Sequence, residues 1–114
     1  MIASKTTAEH YVWDGDCDGW RLLPRQDLNI IHERMPPGRQ EATHRHDVAR
    51  QFFFVLSGEL TMRMTDGDHR IPAGAGLEIP PGVAHQAANA SGADVEFLVI
   101  SHPTTRGDRV DIGG

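Results

Sequence analysis

The sequence predicts an all-β chain that closes into a sandwich or small barrel. Three observations lead there. The 12 glycines and 7 prolines of the 114 residues recur at short intervals. Between them, apolar residues alternate with polar ones or form short runs, whereas a helix face would repeat them every third and fourth position. Pairs that favour tight turns stand between the runs.

The elements follow in order. Leu28 to Met35 is a strand that stops at Pro36-Pro37-Gly38, where fixed and positive φ values reverse the chain. Thr43 to His46 is short, and the turn Asp47 to Arg50 leads from it into Gln51 to Leu56. On that third strand Gln51, Phe53 and Val55 share one face, and Phe52, Phe54 and Leu56 share the other. Ser57-Gly58 then turns into Leu60 to Thr65, Asp66-Gly67 into His69 to Ile71, and Ala73-Gly74 into Leu77 to Ile79. Pro80-Pro81-Gly82 precedes His85 to Asn89, and Ser91-Gly92 precedes Val95 to Ser101. Short strands at this spacing argue for a sandwich or barrel. Residues 1–114 suit one domain, with residues 1–10 and 103–114 expected as tails, frayed or draped on a neighbour.

Composition excludes several function classes. A net charge of −5, with no cluster of Lys and Arg among aromatics, argues against nucleic acid as a partner. The longest apolar run, Phe52 to Leu56, is far short of the roughly 20 residues that span a bilayer. The opening MIASKTTAEH has neither the basic start nor the apolar centre of a secretion signal, so a cytoplasmic location is expected, with no membrane partner. Cys17, the single cysteine, has no intrachain partner and is read as an inert thiol.

Two motifs look functional and are not read so. DGDCDG puts Asp14, Asp16, Asp18 and Gly19 at the first positions of a calcium loop, but the twelfth is Arg25, where a bidentate glutamate belongs. Arg106-Gly107-Asp108 spells an adhesion tripeptide, which three common residues produce readily by chance.

The histidines carry more. His44 and His46 are two apart on a strand, so both project to one face, with Cα atoms about 6.5–7 Å apart. Two imidazoles can converge on one ion from that separation. With His85 supplied by a later strand and Gln51 facing inward, three imidazoles and an amide oxygen can meet.

These residues form a pattern that resembles the cupins. Gly38, five residues, His44, one, His46, four, Gln51, six, Gly58 is similar to the first cupin signature, within residues 38–58. Gly74, five, Pro80, one, Gly82, two, His85, three, Asn89 is similar to the second, within 74–89. The departure is Gln51, where the usual cupin has Glu. The resemblance implies a small jelly-roll β-barrel holding one divalent transition metal ion, Fe, Mn, Co, Ni or Zn, on His44, His46, Gln51 and His85. Phe53, Val55 and His32 are expected to line the substrate pocket, while His10, His69 and His102 are read as surface or ordinary core residues.

A site of neutral donors leaves a divalent ion at a net +2, one unit above a site with a carboxylate. That extra unit favours anions at open coordination positions and strengthens the ion as a Lewis acid. The expected ligand is therefore a small anionic molecule, and the expected function is Lewis-acid isomerisation or tautomerisation of a small organic acid or sugar derivative. Cupins of similar ligand set include iron(II) oxygenases with three histidines, and a sugar-acid enzyme with three histidines and a glutamine. An Fe(II)-dependent dioxygenase and a non-catalytic metabolite-binding or sensing domain are the alternatives. The sugar-acid enzyme uses an acid on its last barrel strand, where this chain has Phe97 to Ile100 and only Glu96 nearby. Finally, Phe52, Phe54 and Leu56 would each forgo about 1.5–3 kcal/mol if left wet. A homodimer by sheet-to-sheet packing is expected to cover them, the alternative cover being residues 1–30 of the same chain.

Overall fold

The computed structural model describes residues 1–113. Its strands are β1 (Glu9–Trp13), β2 (Cys17–Pro24), β3 (Asn29–Met35), β4 (His44–Arg45), β5 (Arg50–Ser57), β6 (Glu59–Met64), β7 (Gly67–Pro72), β8 (Gly76–Ile79), β9 (His85–Ala88), β10 (Val95–His102) and β11 (Val110–Asp111). They form two antiparallel sheets, ordered β1-β2-β3-β10-β5-β8 and β11-β4-β9-β6-β7. The fold is all-β, as expected from the sequence.

Each of the eight expected strands is present, with ends displaced by a residue or two. The additional strands are β1, β2 and β11. Charged residues and Gly19 interrupt alternation in β1 and β2, and β11 is only two residues long. The terminal segments expected as tails are therefore partly built into the sheets. Residues 9 and 10 open β1, Val110 and Asp111 pair with Arg45 and His44, and the Ile112 amide donates to the Thr43 carbonyl at 2.9 Å.

Alternation decides what faces the interior. Along β5, Gln51, Phe53 and Val55 are buried, while Phe52 and Leu56 are 39% and 43% exposed. The inner faces are graded from end to end. Met35 pairs with Val95 at the apolar end, near Leu60 and Met62 in the core. At the other end Asn29, Ser101 and Gln51 form a polar row across β3, β10 and β5. Packing the apolar end supplies the main stabilisation, at about 1.5–3 kcal/mol for each large side chain fully buried, and it leaves the polar end free for chemistry.

Two signature residues serve the framework. Gly58 turns the chain from one sheet to the other at φ 80°, and a Cβ there would meet the Asp94 carbonyl oxygen at 2.4 Å. Asn89 donates to the carbonyls of Met35 at 2.9 Å and Ala93 at 2.8 Å, pinning the end of β9 to the end of β3.

The outer face of the larger sheet is only partly covered. Strands β1 and β2 extend its edge beside β3 and do not fold over Phe52 and Leu56. Lys5 lies 4.6 Å over the Trp20 ring and pairs with Glu96, covering a different part of that face.

Candidate metal centre

His44 and His85 face each other as a registered pair between β4 and β9, and His46 follows two residues after His44. All three are buried, and one ligand atom from each lies within 4.8 Å of the others, so the trio could hold a metal ion. The Gly82 amide donates to the His46 carbonyl at 2.7 Å, which ties the Pro-Pro-Gly turn to the first histidine pair.

Backbone carbonyls orient every ring. His44 Nδ1 donates to Ala42 at 2.7 Å, His85 Nδ1 to Val83 at 3.0 Å, and His46 Nδ1 to Asp108. With each Nδ1 so engaged, each Nε2 keeps its lone pair for an ion. Burial pushes the His44 imidazole down to about 4 and lowers His85 as well, so both are neutral at neutral pH.

Gln51 is 5% exposed, and its amide donates from Nε2 to Ser101 Oγ at 3.1 Å. Its Oε1 has no hydrogen-bond partner, and neither has His85 Nε2. Buried polar atoms are normally satisfied, at a cost of about 1–3 kcal/mol when they are not. Two orphaned lone pairs of hard and borderline character, beside two further imidazoles, fit a divalent transition ion.

Asp108 braces the loop that carries His46. Its carboxylate accepts from the amides of Asp47 at 2.8 Å, Val48 at 3.1 Å and Ala49 at 2.9 Å, while its carbonyl accepts from His46 Nδ1. Burial would raise this carboxyl, but the amides hold it below the usual carboxylate range. Asp108 belongs to the Arg-Gly-Asp stretch, so its part here is positional.

Of the expected pocket residues, Phe53 lies 6.1 Å from the His85 ring and Val55 is fully buried in the apolar core. His32 is elsewhere, which corrects the expectation that it lines the cavity. It sits opposite Leu98 on the outer face, and Nε2 meets Glu96 at 2.8 Å. Ile30 and Ile31 are adjacent, so the sequence pattern fitted either phase of β3. The phase taken turns Asn29, Ile31, Glu33 and Met35 inward, and His32 outward. Glu96 is outward for the same reason.

Glu33 is the interior acid that the sequence reading missed. It pairs with Phe97, which is fully buried, and with Gly19, across whose inner side the Tyr11 ring lies. Among the described residues no hydrogen bond or ion pair reaches its carboxyl. Burial and the like charge of Glu41 push Glu33 up to about 8, partly offset by Arg109. Glu41 itself is pushed up to about 7 by burial, although the Ala87 amide at 2.9 Å and Arg109 favour its ionised form. Burial and Glu33 also raise the Tyr11 hydroxyl.

The remaining candidates are engaged elsewhere. Asp16 of DGDCDG pairs with Arg39 at 2.7 Å, and Asp18 with Arg34 at 2.7 Å. Cys17 is fully buried, and burial with nearby Asp14 and Asp16 pushes its thiol up to about 11. His10 and His69 meet Asp18 and Asp66, and His102 donates to the Asp27 carbonyl.

Comparison with known proteins agrees with this architecture. The chain is 28% identical over 91 residues to the oxalate-binding protein of Thermotoga maritima, covering 75% of each. The polyketide cyclase RemF from Streptomyces resistomycificus superposes with a TM-score of 0.85 at 16% identity, covering all of this chain and 86% of that one. A sugar phosphate isomerase of the cupin superfamily from Silicibacter pomeroyi gives a TM-score of 0.78 at 23% identity, over 91% of this chain and 76% of that one. The family model for the cupin domain matches residues 31–101, more than half of the chain and inclusive of His44, His46, Gln51 and His85, and so this chain belongs to the cupin family.

Proposed function

We propose that the chain is a metal-dependent enzyme that isomerises or tautomerises a small organic acid or sugar derivative. The carrying observation is the pair of buried orphaned atoms, Gln51 Oε1 and His85 Nε2, the latter clustered with the imidazoles of His44 and His46. His44, His46, His85 and Gln51 would hold a divalent transition ion, Fe, Mn, Co, Ni or Zn, which supplies Lewis acidity toward a carboxylate and its neighbouring carbonyl. Glu33, on the same inner face as Asn29 but four residues further along β3, is the acid assigned the proton transfer between carbons, because an unpartnered carboxyl held near neutrality can both give and take a proton. Phe53 and Val55 keep water from the reacting atoms. The similarity to a sugar phosphate isomerase and to an oxalate-binding protein supports a small anionic ligand. The latter also favours a second reading, a non-catalytic domain that captures such an anion.

The Gln51→Glu variant tests the charge argument. With an effective dielectric near 20, a unit charge about 5 Å away is worth about 3 kcal/mol. The metal-loaded variant is expected to bind oxalate at least about tenfold more weakly than the parent in calorimetric titration. Equal affinities would refute the role given to the neutral amide. Turnover across a panel of sugar acids then separates the enzyme from the binder.

The assembly belongs to the same reading. Phe52 and Leu56 remain exposed beside Ile30, Phe54, Leu98 and Ile100, which are half-buried, and a second copy packed sheet to sheet covers them. Light scattering at micromolar concentration is expected to give twice the chain mass, and Phe52→Glu to give a monomer. A parent that scatters as a monomer removes the dimer.

A further inference from the structure

The C-terminal segment meets the candidate metal centre directly. Asp111 pairs with His44 across β11 and β4, and His44 pairs with His85 across β4 and β9, so the three residues form one row on the smaller sheet. Residues directly opposite each other on antiparallel strands project to the same side. Because His44 and His85 are buried between the sheets, Asp111 lies on that inner side too. Arg109, two residues earlier, shares the side, and its Nε donates to Asp111 Oδ1 at 2.7 Å.

The backbone of Arg109 is anchored on both flanks. Before it, Asp108 accepts from His46 Nδ1 at its carbonyl and from the amides of Asp47, Val48 and Ala49 at its carboxylate. After it, Val110 pairs with Arg45. Arg109 is thus fixed to the strand and loop that carry His44 and His46. Its side chain is 45% exposed, which puts the guanidinium at the rim, between solvent and the buried histidines. Asp111 takes its Nε edge and leaves both Nη groups as donors for an anion.

The charge of Arg109 reaches the centre as well. Burial is the main reason that His44 and His85 are lowered and that Glu33 and Glu41 are raised, and Arg109 acts on all four, adding to the first effect and opposing the second. The guanidinium therefore stands within Coulombic reach of the metal histidines and of the interior acids.

We propose that Arg109 determines specificity at this centre by holding the second carboxylate of a ligand whose first carboxylate lies against an ion on His44, His46, Gln51 and His85. Neighbouring strands are about 5 Å apart, so a ligand that reaches both ends is short, a small dicarboxylate such as oxalate or malonate. The ion end rests on the metal-centre reading, and the Arg109 end rests on strand register.

The test is calorimetric titration with oxalate and with oxamate, in which an amide replaces one carboxylate, on protein loaded with Mn(II) and freed of excess metal. R109Q is expected to bind oxalate at least about tenfold more weakly than the parent and to lose much less affinity for oxamate. R109K, which keeps the charge without the fork, is expected to fall between them, and R70Q, altered on β7, to match the parent. Mn(II) affinity should be the same in R109Q as in the parent, which separates a contact with the anion from a structural role. An oxalate-to-oxamate ratio that is unchanged in R109Q overturns the proposal, as does a parent that binds no oxalate, or a loss of Mn(II) binding in R109Q that accounts for its loss of oxalate. The same titrations on chelated protein distinguish the two readings. Oxalate affinity that is indifferent to metal and still falls in R109Q upholds Arg109 and overturns the metal centre, whereas affinity that needs metal and survives R109Q does the reverse.

Discussion

The His85→Ala variant is expected to lose transition-metal binding by about 100-fold or more, a larger effect than is typical for altering a group that merely supports a ligand. His85 is almost fully buried, its Nδ1 is fixed by the Val83 carbonyl, and its Nε2 has nothing else to satisfy. Its removal takes one of three donors from the cluster, where its ring lies 4.5 Å from that of His44 and 5.7 Å from that of His46. An ion that binds only the folded chain stabilises it by mass action, by about 2.7 kcal/mol at a hundred times Kd. For a domain of this size that raises Tm by roughly 10 °C or more. Calorimetric melts with and without Mn(II) or Zn(II) should show the rise in the parent, its reversal by chelator, and its absence in His85→Ala. An equal rise in the variant would mean that the ion binds elsewhere.

Glu33→Gln should make the metal-free protein more stable at alkaline pH. The reasoning is a matter of sign. An ordinary glutamate releases its proton near 4.5, whereas the folded chain holds this one to about 8. Between those values the folded state keeps a proton that the unfolded state has lost, so stability falls as pH rises and the full penalty is reached above about 8. Glu33 faces inward yet keeps some exposure to solvent, whose screening reduces the penalty to the order of 2 kcal/mol. Melts at pH 9 are expected to place E33Q roughly 10 °C above the parent, with the gap closing as pH approaches 4.5. A gap that does not change with pH would show that the Glu33 carboxyl titrates normally. The same variant, metal-loaded, should retain anion binding and lose turnover if Glu33 moves the proton.

Strand turns were legible because they rest on local backbone chemistry. Gly38, Gly58, Gly67, Gly74 and Gly82 all adopt positive φ, where glycine alone is unstrained, and each stands at a turn marked in the sequence. The phase of β5 was equally legible, since Phe53 and Val55 alternate with Phe52 and Phe54 from an inward Gln51. The phase of β3, one strand further across the sheet, was not. Ile30 and Ile31 satisfy both phases, and only pairing with β10, whose Phe97 and Val99 must be buried, turns Glu33 inward and His32 outward.

By itself, then, the chain determined an all-β fold and the spacing that lets His44, His46, Gln51 and His85 converge, because turn chemistry and strand alternation act over a few residues. Tertiary structure alone decided that Glu33 and Glu41 share the interior, that Ser101 turns the Gln51 oxygen free, and that Asp108 reaches back to brace His46. Those contacts join residues far apart in sequence. Their geometry depends on how two twisted sheets register and pack, which no local pattern of side chains encodes.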